Sequence, residues 1–160
     1  MSNYTRYTVT RFLFVAIIVG VLVFVLSYAA GKLTREISQK NATNAETIAM
    51  LDAQYRGINE TYFSDTLTHD VHITFGPDPD GEQGVMGSAS CDGNDCYINI
   101  VPKWNPSDGE KVLTLEHEMC HVKFSTSSDP DDQADSIVHG PKWQTCMLNL
   151  AAEGAMMHYW

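Results

Sequence analysis

Between Phe12 and Gly31 the chain carries no charged residue and is built almost wholly of Val, Ile, Leu, Phe and Ala. As an α-helix such a run rises about 30 Å, roughly the hydrocarbon thickness of a bilayer. It is too uniformly apolar for an amphipathic core helix, so it predicts one membrane-inserting helix over 12–31. Arg11 and Lys32 bracket the run, and Tyr28 lies at an interfacial position. A signal peptide shares this layout, and Ser27-Tyr28-Ala29 before Ala30 has the small residues of a cleavage site. The run exceeds the usual signal core, which favours a retained, single-pass anchor. The flanking charges nearly balance, Arg6 and Arg11 against Lys32, Arg35 and Lys40, so they set no clear orientation.

The rest of the chain is acidic. All 20 Asp and Glu residues follow position 35, and the formal charge is −10. A body of that sign repels phosphate backbones, so no nucleic acid is expected as a partner. Hydrophobic residues make up 44% of the sequence, enough for a packed core. Residues 1–11 read as an N-terminal tail, 32–43 as a polar linker or stalk, and 44–160 as one domain. Cys91 and Cys96 flank the turn-forming Asp92-Gly93-Asn94-Asp95, which would bring them close. A disulfide there would imply an oxidising compartment, and the sequons at Asn41 and Asn59 point the same way, towards an extracytoplasmic domain. Cys120 and Cys146 read as small packing residues.

Thr43-Asn44-Ala45-Glu46 has the form of a capping box, and Ile48, Leu51, Tyr55, Ile58 and Tyr62 recur behind it at helical spacing. Val71, Ile73 and Phe75 alternate with polar residues as in a half-buried strand. Val85-Met86-Gly87 and Cys96 to Val101 are two further short strands, each bounded by turn residues. A second helix starts near Glu110 and carries Val112, Leu113, Leu115, Met119 and Val122. Ser125 to Ser136 reads as a solvated loop. A third helix opens at Pro141, which suits a first helical position, with Trp143, Met147, Leu150 and Ala151 on its buried face. The order predicts an α+β domain with a small antiparallel sheet.

His117-Glu118-Met119-Cys120-His121 lies on the second helix. Residues four apart share a helix face, so His117 and His121 can reach one ion. Glu118 lies about 100° round the helix, where it can act as general base beside the metal. A catalytic zinc, Zn2+, needs a third protein ligand and an open position. His139, directly before Gly140-Pro141, is the expected third ligand. Asp129, Asp131, Asp132 and Asp135 are the alternative carboxylate ligands. His69, His72 and His158 have no partner at ligand spacing.

The blocks Thr114 to His121 and His139-Gly140-Pro141-Lys142-Trp143-Gln144 resemble the SprT-like (Spartan-type) zinc metallopeptidases. Tyr55 to Phe63, the hairpin ending in Tyr97-Ile98-Asn99-Ile100, and Met147 to Ala151 fit the same pattern, over about 46–156. The resemblance implies a zincin-like (minigluzincin-type) fold, zinc on His117, His121 and His139, and Glu118 as base. The cysteine-rich ribbon that many members carry is absent from the sequence given. The resulting expectation is a membrane-anchored zinc peptidase acting on proteins or peptides, with the substrate extended along Tyr97 to Val101. A non-catalytic zinc-binding module and a metal-dependent amidase are the alternatives.

Overall fold

The computed structural model describes residues 3–77, 84–127, 129–137 and 139–159, the side chains of 3–20, 135–137, 158 and 159 excepted. The chain divides after Thr43 into two units. Helix α1 runs from Asn3 to Tyr62. The expected capping box at Thr43 does not start a helix, because the Thr43 hydroxyl donates to the Gln39 carbonyl one turn back, at 3.1 Å. Residues 32–43, expected as a linker or a helical stalk, are α-helical.

The structure does not bear out the membrane helix expected over 12–31. Among the described residues, no helix is long and apolar enough to cross a membrane. The side chains of 12–20 lie outside the described residues. The expected single-pass anchor, and the extracytoplasmic placement tied to it, is thus not supported.

The second unit is α+β. Strands β1 (Val71–Phe75), β2 (Gly87–Asp92) and β3 (Asp95–Ile100) form one sheet in the order β1-β3-β2. The sheet is mixed, not antiparallel as expected. β2 and β3 form a hairpin, while β1 pairs parallel to β3 with Ile73 opposite Ile98. Gly93, at φ +61°, supplies the left-handed residue that a two-residue hairpin turn needs. Cys91 and Cys96 face each other across this hairpin and are disulfide-bonded. β3 is hydrogen-bonded on both sides, so Tyr97 to Val101 offers no free edge to a substrate. Among the described residues that edge belongs to β2 and β1.

Helices α2 (Asp108–Ser125), α3 (Pro130–Ile137) and α4 (Pro141–Ala152) follow, then a 3-10 turn at Ala155–Tyr159. α3 occupies much of the expected loop. Its Pro130 has no N–H to lose in the first turn, and Asp129 Oδ1 accepts from the Asp131 N–H at 2.9 Å, capping the helix. The core joins Leu51, Tyr55 and Ile58 of α1 to Ile73, Ile98 and Ile100 of the sheet and to Leu115, Met119 and Val122 of α2. Burying each such side chain stabilises the fold by about 1.5–3 kcal/mol. Asn59 is buried at 1% exposure and bonds the Leu67 N–H and carbonyl, so it stitches the end of α1 to the approach of β1. That burial removes it as a glycosylation acceptor.

Candidate metal centre

Helix α2 starts where Ser107 caps it. The Ser107 hydroxyl accepts from the Glu110 N–H at 3.2 Å, and the Glu110 carboxylate accepts from the Ser107 N–H at 2.8 Å. This reciprocal box sets the phase of the helix. Three turns on, His117 and His121 share one face with their Nε2 atoms 3.3 Å apart. The third ring arrives from the joint before α4. His139 lies at φ +53°, a left-handed conformation uncommon for residues other than glycine. Neighbours hold it there: the Gln144 side-chain amide donates to the His139 carbonyl at 2.8 Å, and the Gln144 N–H donates to the Gly140 carbonyl at 2.9 Å. His139 Nε2 thus lies 3.2 Å from that of His117 and 3.0 Å from that of His121.

Three ring nitrogens at the corners of such a triangle fit one ion. A tetrahedral site with metal–nitrogen bonds of about 2.0–2.1 Å spaces its nitrogens by about 3.3 Å and leaves the fourth position open. Mutual hydrogen bonding is a poor substitute, since each ring nitrogen carries at most one proton and one proton bridges only one edge. Without a cation, lone pairs aimed at one point repel. His117 is held in the neutral, ligating form: burial, and then the charges of His121 and His139, push it down to about 4. His117, His121 and His139 together could hold a metal ion.

Trp143 was legible in the sequence only as a core residue, yet its ring packs on all three imidazoles. Centroid distances are 4.6 Å to His117, 5.4 Å to His121 and 4.2 Å to His139. It lies two residues into α4, whose next turn carries Cys146. Contrary to expectation, Cys146 and Cys120 do not merely pack. The adjacency of α2 and α4 brings their Cα atoms to 6.0 Å, and they form a disulfide. The bridge starts next to His121 and ends one turn from Trp143. Its loop of 26 residues predicts a loss of about 3–4 kcal/mol in the Cys120→Ala/Cys146→Ala protein, on the chain-entropy account. Urea unfolding of the two proteins measures it, and an unchanged midpoint would mean the bridge contributes nothing.

Glu118 is 3% exposed and lines the same cleft as His117 and His139. Burial pushes its carboxyl up to about 8, an effect that a cation on the histidines would oppose. β2 runs close enough that a Cβ added at Gly87 would meet Glu118 Oε1 at 2.9 Å and Thr114 Cγ2 at 2.7 Å. Only glycine admits that approach. Beneath it, Asn105 donates to the carbonyls of Met86 at 2.8 Å and Val101 at 2.9 Å and accepts from the Thr114 hydroxyl at 2.6 Å. The sequence marked Asn105 only as a loop residue. It locks the start of β2 to α2.

Glu116 has no solvent exposure, and both its carboxylate oxygens lack a hydrogen-bond partner among the described residues. Burial raises its carboxyl to about 7. A buried unpartnered carboxylate opposes folding, so Glu116→Met, similar in shape, should stabilise the metal-free protein by about 1–3 kcal/mol at pH 8. The sign follows from linkage. The folded pKa lies above the unfolded one, so the cost is absent below the unfolded value and grows as pH rises. The gain should therefore shrink towards pH 4, and a gain equal at both pH values would contradict this origin.

The alternative ligands fall elsewhere. Asp129 caps α3, and Asp132 accepts from the Ser127 hydroxyl at 2.7 Å and pairs with Lys142. Asp131 is exposed, and the Asp135 side chain lies outside the described residues. His69 pairs with Asp65 at 3.2 Å and His72 with Asp95 at 3.0 Å, while the His158 side chain is likewise outside.

Compared with known proteins, the chain matches no family model, no curated protein and no solved structure. The zincin-like fold implied by the resemblance is thus not shown. What stands is an α+β unit that gathers three histidines.

Proposed function

We propose that this chain is a zinc-dependent peptidase, with His117, His121 and His139 holding the ion and Glu118 as general base. One observation carries the reading: three imidazole nitrogens within 3.0–3.3 Å of one another, with a buried carboxylate lining the same cleft. An all-nitrogen set of three ligands with a fourth position open is a catalytic zinc pattern. A bound zinc supplies Lewis acidity, polarising a carbonyl and lowering the pKa of water to about 7. The protein's part is then positional. Glu118 receives the proton at its carboxylate and delivers it to the leaving amine. Trp143 holds the rings by packing, and Gln144 holds the backbone of His139. We place an extended substrate along the free edge of β2, which begins at Gly87 beside Glu118. Glu118 favours catalysis over a purely binding module, which needs no base there. The likeness of residues 114–121 and 139–144 to SprT-like peptidases favours peptides over other amides.

The test is metal analysis of the full-length protein, followed by incubation with a peptide mixture read by mass spectrometry. One zinc per chain and cleavage that a chelator abolishes are expected. Hydrolysis of N-acyl amides with peptides left intact would move the reading to the amidase class. Bound zinc with neither hydrolysed would leave a binding module.

A further inference from the structure

Beside the three histidines lies a cleft of about 420 Å³ that the peptide chemistry itself does not require. Its walls come from four separate segments: Val85 and Met86 before β2, Leu113 on α2, Met147 on α4 and Met156 in the final 3-10 turn. All five are apolar, and none is fully buried. His117, Glu118 and His139 line the same cleft and His121 does not, so the cleft opens to one flank of the metal centre. A side chain there would belong to a residue next to the bond being attacked.

We propose that this cleft selects one large neutral apolar side chain, such as Leu, Met or Phe, adjacent to the scissile amide; this rests on the peptidase reading. At about 420 Å³ the cleft falls in the range of ligand clefts, roughly 300–1,000 Å³, and has room for the largest apolar side chains with the peptide backbone beside them. Two methionines from different elements give walls that adapt to branched, linear and aromatic shapes alike. The charges point the same way. Among the described residues the lining contains the carboxylates of Glu110 and Glu118 and no lysine or arginine. Against this wall an acidic side chain would meet the carboxylates of Glu110 and Glu118. Gly87 completes the wall, because any larger residue would push β2 away from Thr114 and Glu118.

The experiment has two arms, both on the full-length zinc-loaded protein. In the first, peptides varied at the positions flanking the cleavage point are digested and the products identified by mass spectrometry. Leu, Met or Phe at one flank should be cleaved at least about tenfold faster than Asp or Glu. In the second, linear alkyl hydroxamates from acetyl to hexanoyl, which chelate the metal, are titrated in. Each added methylene should tighten binding on the order of fourfold until the cleft fills. Leu113→Asp, or Met147→Glu if the first misfolds, should erase both trends while zinc content and circular dichroism persist. Cleavage without apolar preference and a flat hydroxamate series overturn the cleft proposal and leave the peptidase reading intact. A steep series with no peptide cleaved overturns the peptidase reading and leaves only an apolar binding cleft beside the metal.

Discussion

Glu118→Gln should lower kcat/KM for peptide hydrolysis by about 10²- to 10⁴-fold, the usual contribution of a positioned general base. Zinc content and the urea midpoint should hardly change. Gln keeps the size and one oxygen acceptor of Glu, so the space against Gly87, where an added Cβ would lie 2.9 Å from Glu118 Oε1, is still filled. What is lost is only the capacity to take a proton. Glu118 is absent from the group of side chains that could share an ion, so the metal should remain. Because the wild-type carboxylate is buried, its removal should if anything relieve the fold slightly. Measuring rate, bound zinc and stability on one preparation separates these effects. A wild-type rate in the variant would remove Glu118 from the mechanism. A lost metal would make it a ligand instead of a base.

His139→Ala should weaken metal binding by about a hundredfold or more, because even an outer partner of a metal ligand contributes about 10- to 100-fold. His139 is also the ligand whose position is least determined by local sequence. His117 and His121 are set by the pitch of α2, whereas His139 depends on a left-handed backbone at φ +53°, held by Gln144. Ala at that backbone is strained, so His139→Gly serves as a second variant that keeps the conformation and removes only the ring. Asp129→Ala, Asp131→Ala and Asp132→Ala should leave affinity nearly unchanged, since none lies among the three histidines. Competition with a chromophoric zinc chelator ranks all five. Normal affinity in both His139 variants, with loss in any aspartate variant, would reassign the third ligand.

The histidines were legible because their spacing states their geometry. A helix brings residues four apart to one face, and Ser107 with Glu110 marks where that helix begins. Strand β2 was hard to read because Gly87-Ser88-Ala89-Ser90 has no apolar alternation, and its register comes from pairing with β3. The parallel pairing of β1 is a long-range choice that turn residues do not encode. α3 was read as a loop since Pro, Asp and Ser are turn formers, yet the same residues open and cap a short helix. The burial of Glu116 was not legible, because the sequence alone does not say that α2 is covered by the sheet and by α3 and α4. The apolar run at 12–31 misled for a different reason. Hydropathy counts apolar residues in a window, and among the described residues no helix is long and apolar enough to cross a membrane.

The bridge between Cys120 and Cys146 has a consequence for the denatured chain. His121 and His139 both lie inside the ring that it closes, and His117 sits three residues outside. With the bridge intact, an unfolded molecule keeps its three imidazoles tethered within a short length of chain, at a raised effective concentration of each for the others. Such a chain retains residual affinity for the ion, and whatever binds the unfolded state subtracts from the stabilisation the ion gives the native one. Metal should therefore protect the oxidised protein against unfolding by less than its native affinity alone implies, and the shortfall should narrow when the tether is cut.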